Sequence, residues 1–319
     1  MSVANTNIQS IGTLTQPSFG SRLAKDLRRN KYLYLMAIPV IAYYIIFHYK
    51  PMYGAVIAFK EFSPIKGILG SPWVGLKHFY DFFNDYYFDR IVTNTIVISF
   101  SSLIFGFPAP IILALLMNEL KNRIFTRTVQ TITYMPHFIS LVVICGLIRS
   151  FTADDGIITY VFGLFGGEKV SMLNKSELFV PIYVISGIWQ GVGWGSIIYL
   201  SALQSIDVQL YEAATIDGAG YLRRAWHITL PGIMPTIVIM LILRMGHLMS
   251  VGYEKIILLY NPAIYETSDV ISSYVYRKGL LEFNWSYSSA VGLFNSVINF
   301  LMLTAANKIS KKVNETSLW

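Results

Sequence analysis

An all-α, polytopic membrane fold with about six transmembrane helices is what the sequence predicts, and three observations predict it. Charged residues make up 13% of the 319-residue chain and hydrophobic residues 54%, whereas a soluble domain carries about a quarter charged residues. The apolar residues gather into long stretches separated by polar ones, and a helix crossing a bilayer needs about 20 such residues. The basic residues, which leave a net charge of +7, fall at the ends of those stretches and not on one face of a polar domain. That distribution argues against nucleic acid as a partner and fits the basic bias of cytoplasmic loops. The only cysteine, Cys145, lies inside an apolar run, so it reads as a small buried side chain, with no intrachain disulfide or cysteine metal site available. The first thirty residues are polar and no small-residue cleavage site follows the first apolar run, so no cleavable signal peptide is expected.

Taken in order, residues 1–31 read as a cytoplasmic tail ending in Arg22, Lys25, Arg28, Arg29 and Lys31. Residues 32–307 read as the membrane domain and residues 308–319 as a second cytoplasmic tail. The first span is expected at Tyr32–Tyr49, with Pro39 inside it and Pro51–Phe59 adding apolar length. A loop follows, with a short amphipathic helix at Leu76–Phe83. The second span, Ile91–Leu120, carries Asn94 and a kink at Pro108-Ala109-Pro110. Lys121, Arg123 and Arg127 mark an internal loop. The third span is expected at Ile132–Ser150 and the fourth at Leu178–Leu203, where glycines at 187, 191, 193 and 195 predict close helix approach. The fifth span is expected at Gly232–Val251 and the sixth at Ser288–Ala306, closed by Lys308, Lys311 and Lys312. Between the last two, Tyr253–Trp285 reads as an external region in which Val270–Tyr276 re-enters the protein interior. Six spans place both termini and the loop at 204–231 on the same side of the membrane, the cytoplasmic one by the basic residues beside the spans, while most loop acids fall outside.

The most informative stretch is that polar loop. Gln209–Asp217 favours a helix, with Asp207 as its N-cap, and Gly218 and Gly220 break it because glycine turns the backbone without steric cost. A second short helix follows, with Tyr221, Leu222, Ala225 and Trp226 on one face, and Pro231 is expected to end it and start the next span. The spacing Glu212-Ala213-Ala214, three residues, Gly218, nine residues, Ile228, one residue, Leu230-Pro231 resembles the cytoplasmic loop of permease subunits of binding-protein-dependent ABC importers at every fixed position of that motif.

That resemblance extends over roughly residues 25–310. His48-Tyr-Lys-Pro-Met-Tyr-Gly54, Met135-Pro-His-Phe-Ile-Ser140, Leu210–Ala214, and Asn261-Pro262 through Tyr274-Val-Tyr276 together resemble the carbohydrate permeases that include importers of alginate and other complex polysaccharides. One departure is that Asp207 follows Ile206 where many sugar permeases carry proline, which weakens a link to the maltose branch. The resemblance implies a subunit that pairs with a second related permease and binds two ATPase subunits. It implies an oligosaccharide accepted from an extracytoplasmic binding protein. ATP and Mg would belong to the ATPase subunits, with no cofactor in this chain. Coupling residues carried over by the motif are Glu212, Ala213, Ala214, Asp217, Gly218, Ala219, Gly220, Ile228, Leu230 and Pro231.

The residues themselves point away from catalysis. The nearest approach to a phosphate loop, Gly163–Lys169, has Glu168 where glycine is required, so ATP hydrolysis is expected from a partner and not from this chain. His48, His78, His137, His227 and His247 show no metal-ligand spacing, and no nucleophile-base arrangement is legible. Polar groups at membrane depth are the candidates for a solute path. Arg244 and His247, three apart, either line a hydrated route for an anionic solute or bond neighbouring backbone. Trp189 and Gln190 either hold a sugar ring or pack helices, and Asn295 and Asn299 either line the path or tie helices together. A secondary transporter, which would show an inverted repeat and membrane acids, and a permease for another solute such as peptides are the alternatives these residues leave open.

Overall fold

The computed structural model describes residues 19–120, 122–314 and 317–318, so the extreme tails and Lys121, one of the basic residues of the internal loop, lie outside it. The described residues are helical, apart from loops and a single antiparallel bridge between Lys60 and Trp73. Among the described residues five helices are long and apolar enough to cross a membrane, six if a bent pair is counted as one span. Two compact units divide the chain, residues 1–55 and 56–319. The first holds the helix Phe19–Arg29 and most of the first span, Lys31–Phe59, in which Ala58 alone is buried among the described residues. A π-helical turn at Ile45–Tyr49 carries that helix past Pro51, since shifting the hydrogen bonds by one residue accommodates the N–H that proline lacks.

In the second unit the fourth span, Ser176–Leu203, is the element on which the others pack. It contacts both halves of the second span (Phe88–Gly106 and Pro108–Asn118), the helix Arg123–Tyr134 and the fifth span. Two of its glycines make this possible. A Cβ at Gly193 would stand 2.1 Å from the Thr133 carbonyl oxygen, so only glycine admits the neighbouring backbone there, and one at Gly195 would stand 3.1 Å from the Pro110 ring, a tight approach.

Three spans differ from the sequence expectation. The third span is not straight, because Arg123–Phe138 and Leu141–Phe151 meet at 101°. Pro136 sits in a 3-10 turn, Ile139 is extended, and the Ser140 hydroxyl caps the new helix by accepting from the Val143 N–H. The fifth span starts earlier than expected and runs unbroken over Tyr221–Met245. Pro231 does not end a helix there, since a second π-helical turn, Ala225–Thr229, carries the chain into Leu230–Met245. The same helix ends at Met245, so Arg244 lies in its last turn and His247 in the turn beyond it. The sixth span, Trp285–Lys312, is longer than expected at both ends.

Between the fifth and sixth spans the chain folds back into the protein, as Val270–Tyr276 predicts. Val270, Ile271, Ser273 and Tyr274 are buried. Polar side chains from the spans hold this segment by its backbone. Asn94 donates to the carbonyls of Glu266 and Asp269 (2.8 and 2.9 Å), and the Ile271 N–H donates to the Thr95 hydroxyl at 2.9 Å. Asp269 is fully buried, and its carboxylate accepts from both Arg277 nitrogens (2.8 and 2.6 Å), from Arg90 (3.3 Å) and from the Ser273 hydroxyl (2.8 Å). Burial opposes charge on Arg277, but the Asp269 carboxylate outweighs it and holds the guanidinium firmly protonated. Nearby, burial works against charge on Asp85 as well. Hydrogen bonds from the Tyr274 hydroxyl, the Tyr87 N–H and the Tyr287 hydroxyl prevail and keep its carboxyl below the usual range.

Removing one partner of a buried ion pair costs about 3–5 kcal/mol, because the remaining charge is left without compensation. Asp269→Asn is therefore expected to lower the thermal unfolding midpoint in detergent by about 5–10 °C. Glu61→Gln, which breaks the exposed Lys77 pair, should leave that midpoint within about 1 °C.

Candidate functional site: a basic cavity and a hinged elbow

A cavity of about 680 Å³ lies among the second, fourth and fifth spans and the segment after the fifth. Glycine makes the space. Gly187, Gly191 and Gly195 recur every four residues along one face of the fourth span and all line the cavity, with Gly106 and Gly252 across from them. A Cβ at Gly191 would meet nothing within 4 Å, and one at Gly187 would stand 3.4 Å from the Lys255 ammonium. The fourth-span glycines thus serve two purposes, helix approach at Gly193 and Gly195 and an open volume at Gly187 and Gly191.

Three basic side chains face this volume, Arg244, His247 and Lys255, and no Asp or Glu is among the described residues lining it. Lys255 is buried in the helix Tyr253–Leu259, which does not span the membrane. Its Nζ donates to the Tyr183 carbonyl at 2.9 Å and sits 4.6 Å from the centre of the Tyr183 ring. Burial pulls its ammonium down to about 8, so it is charged at neutral pH and titrates just above it. Ser99, 4% exposed, is among the lining residues, and its hydroxyl oxygen is buried with no hydrogen-bond partner. Gln190, Ser102, Tyr183 and Ser250 add further polar groups. The arrangement suits a hydroxylated, negatively charged solute.

Of the path candidates, the structure brings Gln190, Arg244 and His247 together at the cavity. It does not bring Trp189, Asn295 or Asn299 there. Trp189 is 46% exposed on the outside of the fourth span. Asn299 ties the sixth span to the turn after the fifth, accepting from the Met249 N–H and donating to the Ser250 hydroxyl, each at 2.9 Å. Asn295 is half-buried, and its carbonyl oxygen has no partner. Lys255 and Ser99 were not legible as lining residues. Lys255 follows the fifth span in a stretch that reads as an external loop, and Ser99 is one serine among many in an apolar run. No group of three or more His, Cys, Asp or Glu side chains able to hold a metal occurs among the described residues.

At the other end of the fifth span lies the elbow. Its first helix, Val208–Ile216, is capped by Asp207, whose carboxylate accepts from the Gln209 N–H at 2.9 Å. Gly218 closes it in the left-handed conformation (φ +72°), with the Ala219 N–H bonded to the Ala214 carbonyl and the Gly218 N–H to the Thr215 carbonyl, the paired bonds of a Schellman cap. Two side-chain bonds stitch the limbs together, Tyr211 to Thr229 and Arg224 to Thr215, both 3.0 Å. Glu212, Ala213, Asp217 and Gly220 are exposed, while Ala214, Ala219, Ile228 and Leu230 are half-buried and Pro231 exposed. Apolar side chains stand in the open beside them, with Ile216 87%, Leu222 78% and Trp226 69% exposed.

Comparison with known proteins agrees with this architecture. The Polygalacturonan/rhamnogalacturonan transport system permease protein YteP of Bacillus subtilis (strain 168) is 44% identical over 301 residues, covering 93% of each chain. Protein LplB of the same organism is 43% identical and covers 92% of each. A solved bacterial ABC transporter involved in the import of the acidic polysaccharide alginate superposes with a TM-score of 0.85 at 43% identity, over 92% of this chain and 99% of that one. A second structure, of the bacterial alginate ABC transporter in complex with alginate pentasaccharide-bound periplasmic protein, has a TM-score of 0.85 at 42% identity, over 93% and 100%. Residues 106–315 match the Binding-protein-dependent transport system inner membrane component family, and with the cavity and elbow both inside or bordering that range, the chain belongs to this family of ABC-importer permeases.

Proposed function

We propose that this permease carries acidic oligosaccharides across the bacterial inner membrane, and that its elbow couples transport to a separate ATPase. The observation that carries the substrate reading is the 680 Å³ cavity faced by Arg244, His247 and Lys255 with no carboxylate among its described lining. A carboxylate-bearing sugar satisfies those donors, whereas a neutral peptide does not balance the charge. The names of the relatives, which concern polygalacturonan, rhamnogalacturonan and alginate, support the same class. Trp189, Asn295 and Asn299 drop out of this reading as direct contacts, and Asn299 supports the cavity wall through Ser250.

The elbow's exposed Ile216, Leu222 and Trp226 support a docking role, since such apolar groups at a polar loop are expected to be covered by a partner. In this reading the partner is one of two ATPase subunits, which hold ATP and Mg, and the loop and both termini face the cytoplasm. A second related permease completes the membrane channel. An extracytoplasmic binding protein delivers the substrate, as in the alginate transporter complex.

Uptake of labelled oligogalacturonate and of a neutral xylo-oligosaccharide into proteoliposomes holding the whole transporter tests the substrate class. The acidic sugar should be taken up in preference, and Arg244→Gln should raise its KM about tenfold or more, since hydrogen bonds to charged groups contribute about 1.5–3 kcal/mol. Equal uptake of both sugars contradicts the charge reading. Because Lys255 is protonated below about 8 and neutral above it, the acidic sugar's KM should rise between pH 7 and pH 9, and Lys255→Met should flatten that rise. For coupling, a Cβ at Gly218 meets nothing, so the cost of replacing it is conformational. Gly218→Val is expected to leave membrane insertion intact but to cut sugar uptake per ATP hydrolysed. Gly218→Asn, which tolerates the left-handed region, should retain most of it, and a valine variant with unchanged stoichiometry would refute the role.

A further inference from the structure

Resting on that reading, a second cavity of about 430 Å³, lined from the residue that follows Gly252 in the chain, contains no charged residue among its described lining. Tyr253, Tyr276 and Trp285 supply aromatic surface, with the two tyrosine rings stacked 5.5 Å apart at 21°. Ser272, Ser288 and Ser289 supply hydroxyls. Ser272 already donates to the Val251 carbonyl at 2.6 Å and Ser288 to the Asn284 carbonyl at 2.9 Å, so both oxygens retain lone pairs that can accept from a guest's hydroxyls. Gly279 lets the π-helical turn Arg277–Leu281 close on the sixth span, because a Cβ there would stand 2.9 Å from the Ser288 oxygen.

Consecutive residues of the chain line the two cavities. Val251 and Gly252 line the first, and Tyr253, the next residue, lines the second. The Ser272 bond to Val251 pins that stretch of chain, and Gly252 leaves open space where a side chain would stand. We propose that the second cavity is a saccharide subsite, taking the ring of a pyranose unit of the same chain whose acidic unit occupies the first. Aromatic faces bind the C–H face of such a ring while acceptor oxygens read its hydroxyls, and the absence of charge makes the subsite blind to the carboxylate. It extends recognition from one sugar unit to a chain, which gives the transporter a preference for longer oligosaccharides.

Leu280, 60% exposed at the rim, provides the probe position. In the whole transporter reconstituted in nanodiscs, Leu280→Cys is labelled with a maleimide, alone or with a galacturonate hexamer or a xylose hexamer, against a wild-type control for Cys145. The hexamer that the transporter accepts should slow labelling about tenfold, and Tyr276→Ala in the same background should remove that protection. Absence of protection, or protection that survives Tyr276→Ala, overturns the subsite. A lipid tail or a partner helix filling the cavity would produce the first of these results. In uptake, Tyr276→Ala should reduce hexamer transport about tenfold relative to dimer transport while Tyr276→Phe restores it, and equal loss for both lengths also overturns it. If the neutral series proves to be the transported one, the acidic reading fails while the length effect is still read in that series. If neither series is bound or carried, both readings fall.

Discussion

Asp269 is the constraint on which the functional half of the molecule depends. A segment that dips back among membrane spans must satisfy its own backbone groups without help from water. The chain between the fifth and sixth spans does so with side chains borrowed from the second span, Asn94 and Thr95, and with a carboxylate clamped by two guanidinium groups. Those bonds fix the level of Val270–Tyr276, and through Ser272 they hold Val251, which is cavity wall. The ion cluster is thus a positional device more than a source of stability, since desolvating charges offsets much of their attraction.

The cavity exists because of residues that are missing side chains. A stripe of glycines at intervals of four along a membrane helix ordinarily means that another helix lies against it. Here the stripe faces space at Gly187 and Gly191, and the ammonium of Lys255 occupies the margin of that space. Arg244, His247 and Lys255 line that space with no Asp or Glu among its described lining, so no resident acid there neutralises the positive charge.

Much of this was legible in the sequence. The helical membrane class followed from composition, the re-entrant segment from its place between spans, and the elbow from Asp207, Gly218 and the fixed spacing after Glu212. What could not be read was where prolines break a helix and where they do not. Pro136 accompanies a 101° bend, but Pro231 and Pro51 are passed by π-helical turns, and the difference lies in hydrogen-bond shifts upstream that periodicity does not record. Side-chain direction was equally hidden. Arg244 and His247 do not share one helical face, since the helix ends between them, yet both reach the cavity, and Asn299 turns toward a backbone turn instead. Lys255 was invisible because a lone lysine beyond a span usually marks a water-facing loop.

The π-helical turn at Ala225–Thr229 has a mechanical corollary. By bridging Pro231 without a break it fuses the limb of the elbow to the fifth span as one 25-residue rod, about 37 Å long. Arg224 and Thr229, both bonded to the preceding helix, sit near one end of that rod, and Arg244 sits in the last turn of the other. A tilt or twist imposed on the elbow would therefore arrive at the basic residues as a displacement of Arg244.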